Sequence, residues 1–453
     1  MRLSSISVAI ALIVQCTFVA AGASRVKPRR TSSILISESY PFPAVIRNDA
    51  NLVLDPDAQP DLPSANEAKV ASESVGLNLD DIQGDILVGM KKDKELFFFF
   101  GIQDAATFKS KLASDIRGLI TSTTQLLDVS LQPTTAVNIA FSQTGLNALG
   151  NSDNLQDSLF KAGQFNDALA LADPGTGNWV QGFAGTSVHG VFLIASDTQA
   201  NVDAELANIQ NILGNSIVEI HRLQGAARPG NEKGHEHFGY MDGISQPAIK
   251  GFVQAPLPGQ AQVDPGVIIT AETGDANAAS RPAWTKGGSF LAFRQLKQRV
   301  PEFNKFLIDN ALSVPGLTQQ ENADLLGARM IGRWKSGAPI DLTPLRDDPA
   351  LAADPQRNNF FNYNHTDAGF DITTNLTMCP FSAHTRKTRP RADFSPENTR
   401  SQIMRAGIPY GPEETSARAS SDASELERGL AFVSYQSNLS NGFAVCRFSG
   451  FCT

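Results

Sequence analysis

The chain has 453 residues, too many for one small core and suited to two domains or one large double domain. Apolar residues make up 42% and charged residues 19%, an ordinary globular balance. The net charge of −8, from 46 acidic and 38 basic residues, argues against non-specific nucleic-acid binding, so a local knot of positive charge points to a local anion.

Residues 1–23 read as a secretory signal. Arg2 supplies the positive start, "VAIALIVQCTFVA" the apolar core and "AAGAS" the small residues for cleavage, so the expected location is extracellular. The competing reading is a membrane anchor, but this run is too short, and no other reaches spanning length. Residues 24–76 hold "RVKPRR", scattered Pro, Asp and Ser, and no sustained period. They read as a pro-segment, with a floppy N-terminal arm as the alternative.

The folded part begins near "LNLDDIQGDILVGM". "ELFFFFGI" reads as a strand, and "DAATFKSKLASDIRGLI" as a helix with Phe108, Leu112, Ile116 and Leu119 on one face. "TAVNIAFS" and "SVHGVFLIASD" are strands, with "TGLNALG" a helical turn between them. "NVDAELANIQNIL" reads as a helix opened by an Asn cap, and "SIVEIHRLQGAA" as the strand that closes this half. A similar order returns in "GGSFLAFRQLKQ", a strand, and "VPEFNKFLIDNAL", a helix with Pro in its first turn. "CPFSAHTRK", "QIMRAGIPY" and "GLAFVSYQS" read as strands or strand ends. Irregular alternation with short spacings predicts an α+β fold with antiparallel sheets. Both halves run aromatic strand, polar turn, then helix with Phe inside, which suggests a weak internal duplication. The divisions are residues 77–233, a connecting loop 234–280, and 281–453.

Cys16 lies in the signal, and Cys379, Cys446 and Cys452 are too few for a disulfide framework. No CxxC pair suggests structural zinc. Sequons at Asn364, Asn375 and Asn438 hint at a glycoprotein.

Three stretches carry candidate chemistry. In the Gly-rich "GHEHFGYMDGISQPAIKGF", Asp242 is either a turn residue bonding its own backbone or a functional acid. His235 and His237 have no ligand geometry beyond their i,i+2 spacing. In "SQIMRAGIPYGPEE", Arg405 stands among apolar neighbours and either faces solvent or is buried and paired. In "MCPFSAHTRKTRPR", His384 precedes Arg386, Lys387, Arg389 and Arg391, and is either a structural imidazole or a ligand.

Together, in this order, the stretches resemble the dye-decolorizing peroxidases, a haem enzyme family, and most resemble its secreted fungal members. "GYMDG" is similar to the family's G-x-x-D-G signature and "CPFSAHTRKTRPR" to its proximal-histidine segment. "IMRAGIPYGPE" and "GLAFVSYQSNLSNGF" resemble its distal-arginine and haem-pocket segments. The resemblance runs from about Leu77 to Phe443. It implies two ferredoxin-like halves of the dimeric α/β-barrel type, one haem b per chain, and oxidation of dyes and phenolic or aromatic compounds by H2O2, with no nucleic-acid or membrane partner. It also implies roles: His384 as the iron ligand, Asp242 as the distal acid/base and Arg405 as the stabiliser of developing negative charge. Leu430 and Phe432 would wall the distal pocket. Tyr410 would carry electrons from substrates too large to enter. Arg386 is the expected partner of a haem propionate, and a solvated basic face is the alternative for Lys387, Arg389 and Arg391.

After "SNLSNGF" the resemblance stops at "AVCRFSGFCT", where family members continue with closing strands, a surface tryptophan and a carboxylate that bonds the proximal histidine. The expectation is a truncated or mis-spliced product with an exposed sheet edge. Alternatives to an active peroxidase are a haem-binding but impaired protein and a chain that does not fold alone.

Overall fold

The computed structural model describes residues 9–13, 62–90, 93–128, 130–173, 175–394, 397–414 and 426–448. Most of the expected signal and pro-segment, Cys16, Cys452 and the last five residues lie outside the described residues. The strands are β1 (Ala9–Ile13), β2 (Lys94–Ile102), β3 (Ala136–Phe141), β4 (Gly190–Ser196), β5 (Ile217–Ala226), β6 (Ala248–Ile249), β7 (Gln262–Val263), β8 (Phe290–Lys297), β9 (Met404–Arg405), β10 (Ile408–Tyr410) and β11 (Gly429–Gln436).

The first half is a β-α-β-β-α-β unit whose strands lie in the order β5-β2-β4-β3, all antiparallel. Its helices match the sequence expectation, with one correction. The helix Gln199–Leu213 starts two residues before "NVDAEL", and its N-cap is Thr198, whose hydroxyl accepts the Asn201 N–H. The second half supplies β8, β11 and the β9/β10 edge, with the helix Val300–Asp309 after β8. This is the duplication suggested by the sequence. The order closes into a barrel because β10 pairs with both β11 and β5, through Tyr410 and Gly225. A side chain at Gly225 would come within 2.4 Å of Ile408 Cγ2, so glycine lets the two edges meet.

An exposed edge was expected in the second half, and β9, last in the sheet order, leaves an edge there. On the other side of β8 the structure sets β1 between β3 and β8, parallel to both. That strand lies inside the expected signal segment. A second correction falls on the end of the expected pro-segment. Residues Ala65–Val75 form a helix with a capping box, Ser64 and Glu67, and Ala68 belongs to the core. The "SANE" pattern at 64–67 was its available signal.

β2 is buried along both faces. Leu96, Phe98 and Phe100 pack under the helices, and Phe97 and Phe99 point into the barrel. There each lies 5.0 Å from the ring of Phe293 on β8, so aromatic contacts join the two halves. Each fully buried Phe contributes about 2 kcal/mol. The two-faced burial explains why "ELFFFFGI" is continuous rather than alternating. Among the described residues no helix is long and apolar enough to cross a membrane.

The barrel also encloses polar groups. Glu95 is 4% exposed, and its Oε1 has no hydrogen-bond partner. Burial first, and nearby Asp85 second, raise its pKa well above the ordinary 4.5. The fold therefore favours protonated Glu95. Its contribution to stability is full below the unfolded pKa and is lost as pH rises through the folded pKa. Glu95→Gln should accordingly flatten the fall in melting temperature above pH 4.5, and gain on the wild type as pH rises to 8. Parallel curves in a thermal scan from pH 3.5 to 8 would refute this.

Candidate active site

Several segments meet at a cavity of about 540 Å³, among them the Gly-rich loop around Asp242, β8, the helix His384–Thr388, β9 and β11. This volume lies in the range of pockets that enclose a cofactor-sized ligand. Asp242, His384, Arg405, Leu430 and Phe432 all line it. On β11, Leu430 and Phe432 face the cavity, and Ala431 and Val433 face the barrel core.

Asp242 is set by its loop. Its N–H donates to Gly234 O at 3.0 Å. Gly243 has φ +88°, a left-handed conformation, and turns its N–H onto Asp242 Oδ1 at 2.6 Å. Arg405 Nη1 donates to the same oxygen across 163 residues of chain. Asp242 thus bonds the next backbone amide, as a turn residue does, and also faces the cavity. Arg405 is paired rather than solvated. Burial pushes the Asp242 carboxyl up, but the Arg405 charge, the Gly243 N–H, the Arg405 hydrogen bond and His384 outweigh it and hold the pKa below the ordinary carboxylate value. The imidazole of His384 is pushed below its ordinary value by burial first, then by Arg405 and Lys387, with Asp242 opposing. The exposure of Asp242, 39% of its side chain, and of His384 is toward the cavity, so the surrounding protein still governs their ionisation. No hydrogen bond to the His384 ring occurs among the described residues.

The segment "CPFSAHTRK" was expected to be extended, and this is corrected: it enters a helix at His384, after Ala383 as N-cap. The change decides which side chains accompany the histidine. On a strand His384 and Arg386 would share a face; at about 100° per residue they diverge by about 200°, and positions three and four onward return. Lys387 and Thr388 indeed line the cavity, and Arg386 does not. Arg386 is instead buried against Asp393, with Nε 2.8 Å from Oδ2, and lies over Phe381 at 4.2 Å. It also donates to the carbonyls of Cys379 and Ile372. Its expected role toward a propionate is therefore corrected to one of holding the 372–393 segment together.

Sequence reasoning missed Arg333, and left Arg391 with a solvated basic face as its alternative. Arg333 and Arg391 line the cavity and lie over one ring, with guanidinium carbons 5.3 and 4.0 Å from the Phe361 centroid. Neither has a carboxylate at ion-pair distance among the described residues. Both donate to carbonyls of the 337–361 segment and to Asn359 Oδ1. Buried Arg391 Nε has no partner. Burial, then Arg391, lowers the Arg333 pKa to about 9, and burial, then Arg389, lowers that of Arg391 to about 10. Arg389 lines the cavity too, with Glu397 at 3.1 Å. Arg333, in "IGRWKS", carried no motif that would have marked it.

Tyr410 is not part of the cavity wall. It is buried, its phenol donates to Glu427 Oε1 at 3.0 Å, and its carbonyl accepts from His237 Nε2 at 3.0 Å. Burial first, and Glu427 second, raise its pKa. His235 and His237 do not converge: the His235 ring bonds to Lys233 O.

A neutral imidazole, an ionised carboxylate paired with a guanidinium, an apolar wall and buried arginines lacking carboxylates suit an acidic planar cofactor bound by its metal. Haem fits this set, with His384 toward iron and Arg333 and Arg391 toward its carboxylates. The fold and site define a haem peroxidase built on an α+β barrel.

Residues 81–229 match the family described as the DyP dimeric alpha+beta barrel domain, and residues 262–449 match the Dyp-type peroxidase C-terminal family. Peroxidase 2 of Mycetinis scorodonius is 64% identical over 426 residues, which cover 93% of this chain and 78% of that protein. Dye-decolorizing peroxidase AauDyP1 of Auricularia auricula-judae is 59% identical over 391 residues, 85% of this chain and 75% of that protein. The crystal structure of a decolorizing peroxidase from Auricularia auricula-judae superposes with a TM-score of 0.79 at 58% identity, covering 82% of this chain and 84% of that one. The chain belongs to the dye-decolorizing-type peroxidase family, whose members are haem-dependent enzymes.

The two arginine positions separate by experiment. Arg391→Leu should weaken haem binding about tenfold or more, read as the Soret titration of the apoprotein, because it removes a cavity charge. Arg386→Leu should keep haem affinity within about threefold but cost about 3 kcal/mol of stability, since Asp393 is left buried and unpaired. The reverse pattern would restore Arg386 to the cofactor site.

Proposed function

We propose that this chain is a secreted peroxidase that uses one haem b, held at His384, to reduce H2O2 and to oxidise dyes and phenolic or aromatic compounds. Relatives named dye-decolorizing peroxidase, at 53–60% identity, support the dye substrates. The signal-like N-terminus supports secretion. The observation that carries the reading is the Asp242–Arg405 pair facing the same cavity as a neutral His384.

Bound haem would supply the capacity to take two oxidising equivalents from peroxide. The chain's own residues manage the protons and charge. Asp242, ionised at acid pH, accepts the proton of the nearer peroxide oxygen and returns it to the departing one. Arg405 fixes the carboxylate and balances negative charge as the O–O bond lengthens. Leu430 and Phe432 limit the cavity to small oxidants. Larger substrates react elsewhere, with Tyr410 as the relay, and its hydrogen bond to Glu427 offers an acceptor for the phenolic proton.

Asp242→Asn should keep the Soret band and lower the second-order rate constant with H2O2 by about 10²- to 10⁴-fold in stopped flow. Arg405→Leu should cost about 10²- to 10³-fold. The wild-type rate should hold as pH falls from 7 toward 4 and decline only below the ordinary carboxylate range, because the Asp242 pKa is lowered. A wild-type rate in the Asn variant, or a loss centred near pH 6, would remove Asp242 from this role.

A further inference from the structure

We propose that Gln246 is a positioning residue that aims Arg405 at Asp242; the inference rests on the roles assigned to that pair above. β9 is the last strand of the sheet order, and Ala406 N–H donates to Val433 O of β11 at 3.0 Å. By alternation the N–H and C=O of Arg405 then face away from β11, at an open edge. The Gln246 side chain meets both. Its Oε1 accepts from Arg405 N–H at 3.1 Å, and its Nε2 donates to Arg405 O at 2.6 Å. The carboxamide thus takes the place of a neighbouring strand for one residue. Holding this peptide by both groups fixes the direction in which the Arg405 side chain leaves the backbone.

The consequence is geometric. Gln246 lies four residues after Asp242 in the same loop, so that loop grips Arg405 twice. Asp242 holds the guanidinium and Gln246 holds the peptide. Gln246 is itself anchored, since its carbonyl accepts from Gln260 Nε2 at 3.1 Å, and Gln260 Oε1 accepts from Leu257 N–H at 3.0 Å. Gln246 does not line the cavity and therefore acts through Arg405.

The test uses the haem-loaded enzyme with H2O2 and, as a probe independent of turnover, cyanide. Gln246→Leu keeps a similar volume and removes both bonds. Its second-order rate with H2O2 should fall about 10- to 100-fold, the scale of a small misplacement of a catalytic group. Its cyanide Kd, read from the Soret shift, should rise about tenfold, and the reduction of the peroxide-oxidised enzyme by substrate should stay within twofold. Gln246→Glu gives a readout that packing alone would not move. As a carboxylate it lacks the donor to Arg405 O; below about pH 4.3 it regains one. Its deficit relative to wild type should shrink as pH falls from 7 to 3.5. A folded Leu variant with peroxide rate and cyanide Kd both within twofold of wild type overturns the proposal, as does a Glu deficit independent of pH. If the Leu variant does not fold, the pH slope of the Glu variant decides. Asp242→Asn distinguishes the levels: a slow Asn variant beside a normal Leu variant sinks only the role of Gln246, and a normal Asn variant sinks the reading of the pair as well.

Discussion

The contact between Arg405 and Asp242 is the interaction on which the site depends. It joins a two-residue strand to a glycine-rich loop 163 residues earlier, across a cavity neither element could shape alone. The pair is open to the cavity, with 28% and 39% of its side chains exposed, so its worth is not mainly stability. Its effect is on ionisation. Arg405 offsets the burial of Asp242 and leaves a carboxylate that stays charged in acid, and the same guanidinium helps keep His384 neutral. One cation thereby acts on the ionisation of both other groups, beside burial.

The cavity carries more positive charge than its own carboxylates balance. Arg333 and Arg391 are buried and donate to carbonyls and one amide, and burial first, then Arg391 beside Arg333 and Arg389 beside Arg391, lowers their pKa values. Arg391 is held with φ +45°, a left-handed backbone unusual for a side-chain-bearing residue. Such an arrangement costs free energy in the empty chain. A bound anionic group would offset that cost.

The barrel supplies the rigidity behind this. Phe97 and Phe99 of the first half meet Phe293 of the second, and β10 joins both halves at Gly225. The strand that carries Phe293 also presents Arg294 and Leu296 to the cavity. Arg294 in turn is bound by Asp173 of the first half through both terminal nitrogens, at 2.9 and 2.8 Å. Site and core therefore share strands, and the first half, which contributes none of the lining residues, still helps determine where the cavity wall stands.

Much of this was legible in the amino-acid sequence. The strands of the first half, the helix after β8 and the apolar runs of β8 and β11 follow from periodicity, because each element buries its own pattern. Asp242, His384 and Arg405 were legible as a set through the order of their motifs. What the sequence left open depended on local conformation and on contacts between distant segments. His384 enters a helix rather than a strand, and that rotation alone exchanges Arg386 for Lys387 and Thr388 at the cavity. Arg333 and Gln246 had no local mark, since their roles exist only where they meet Phe361 and the Arg405 peptide. The order of the motifs carried the resemblance to the family and its chemical groups. The tertiary structure decided which charges face the cavity, because that is set by helix phase and by contacts made across more than a hundred residues.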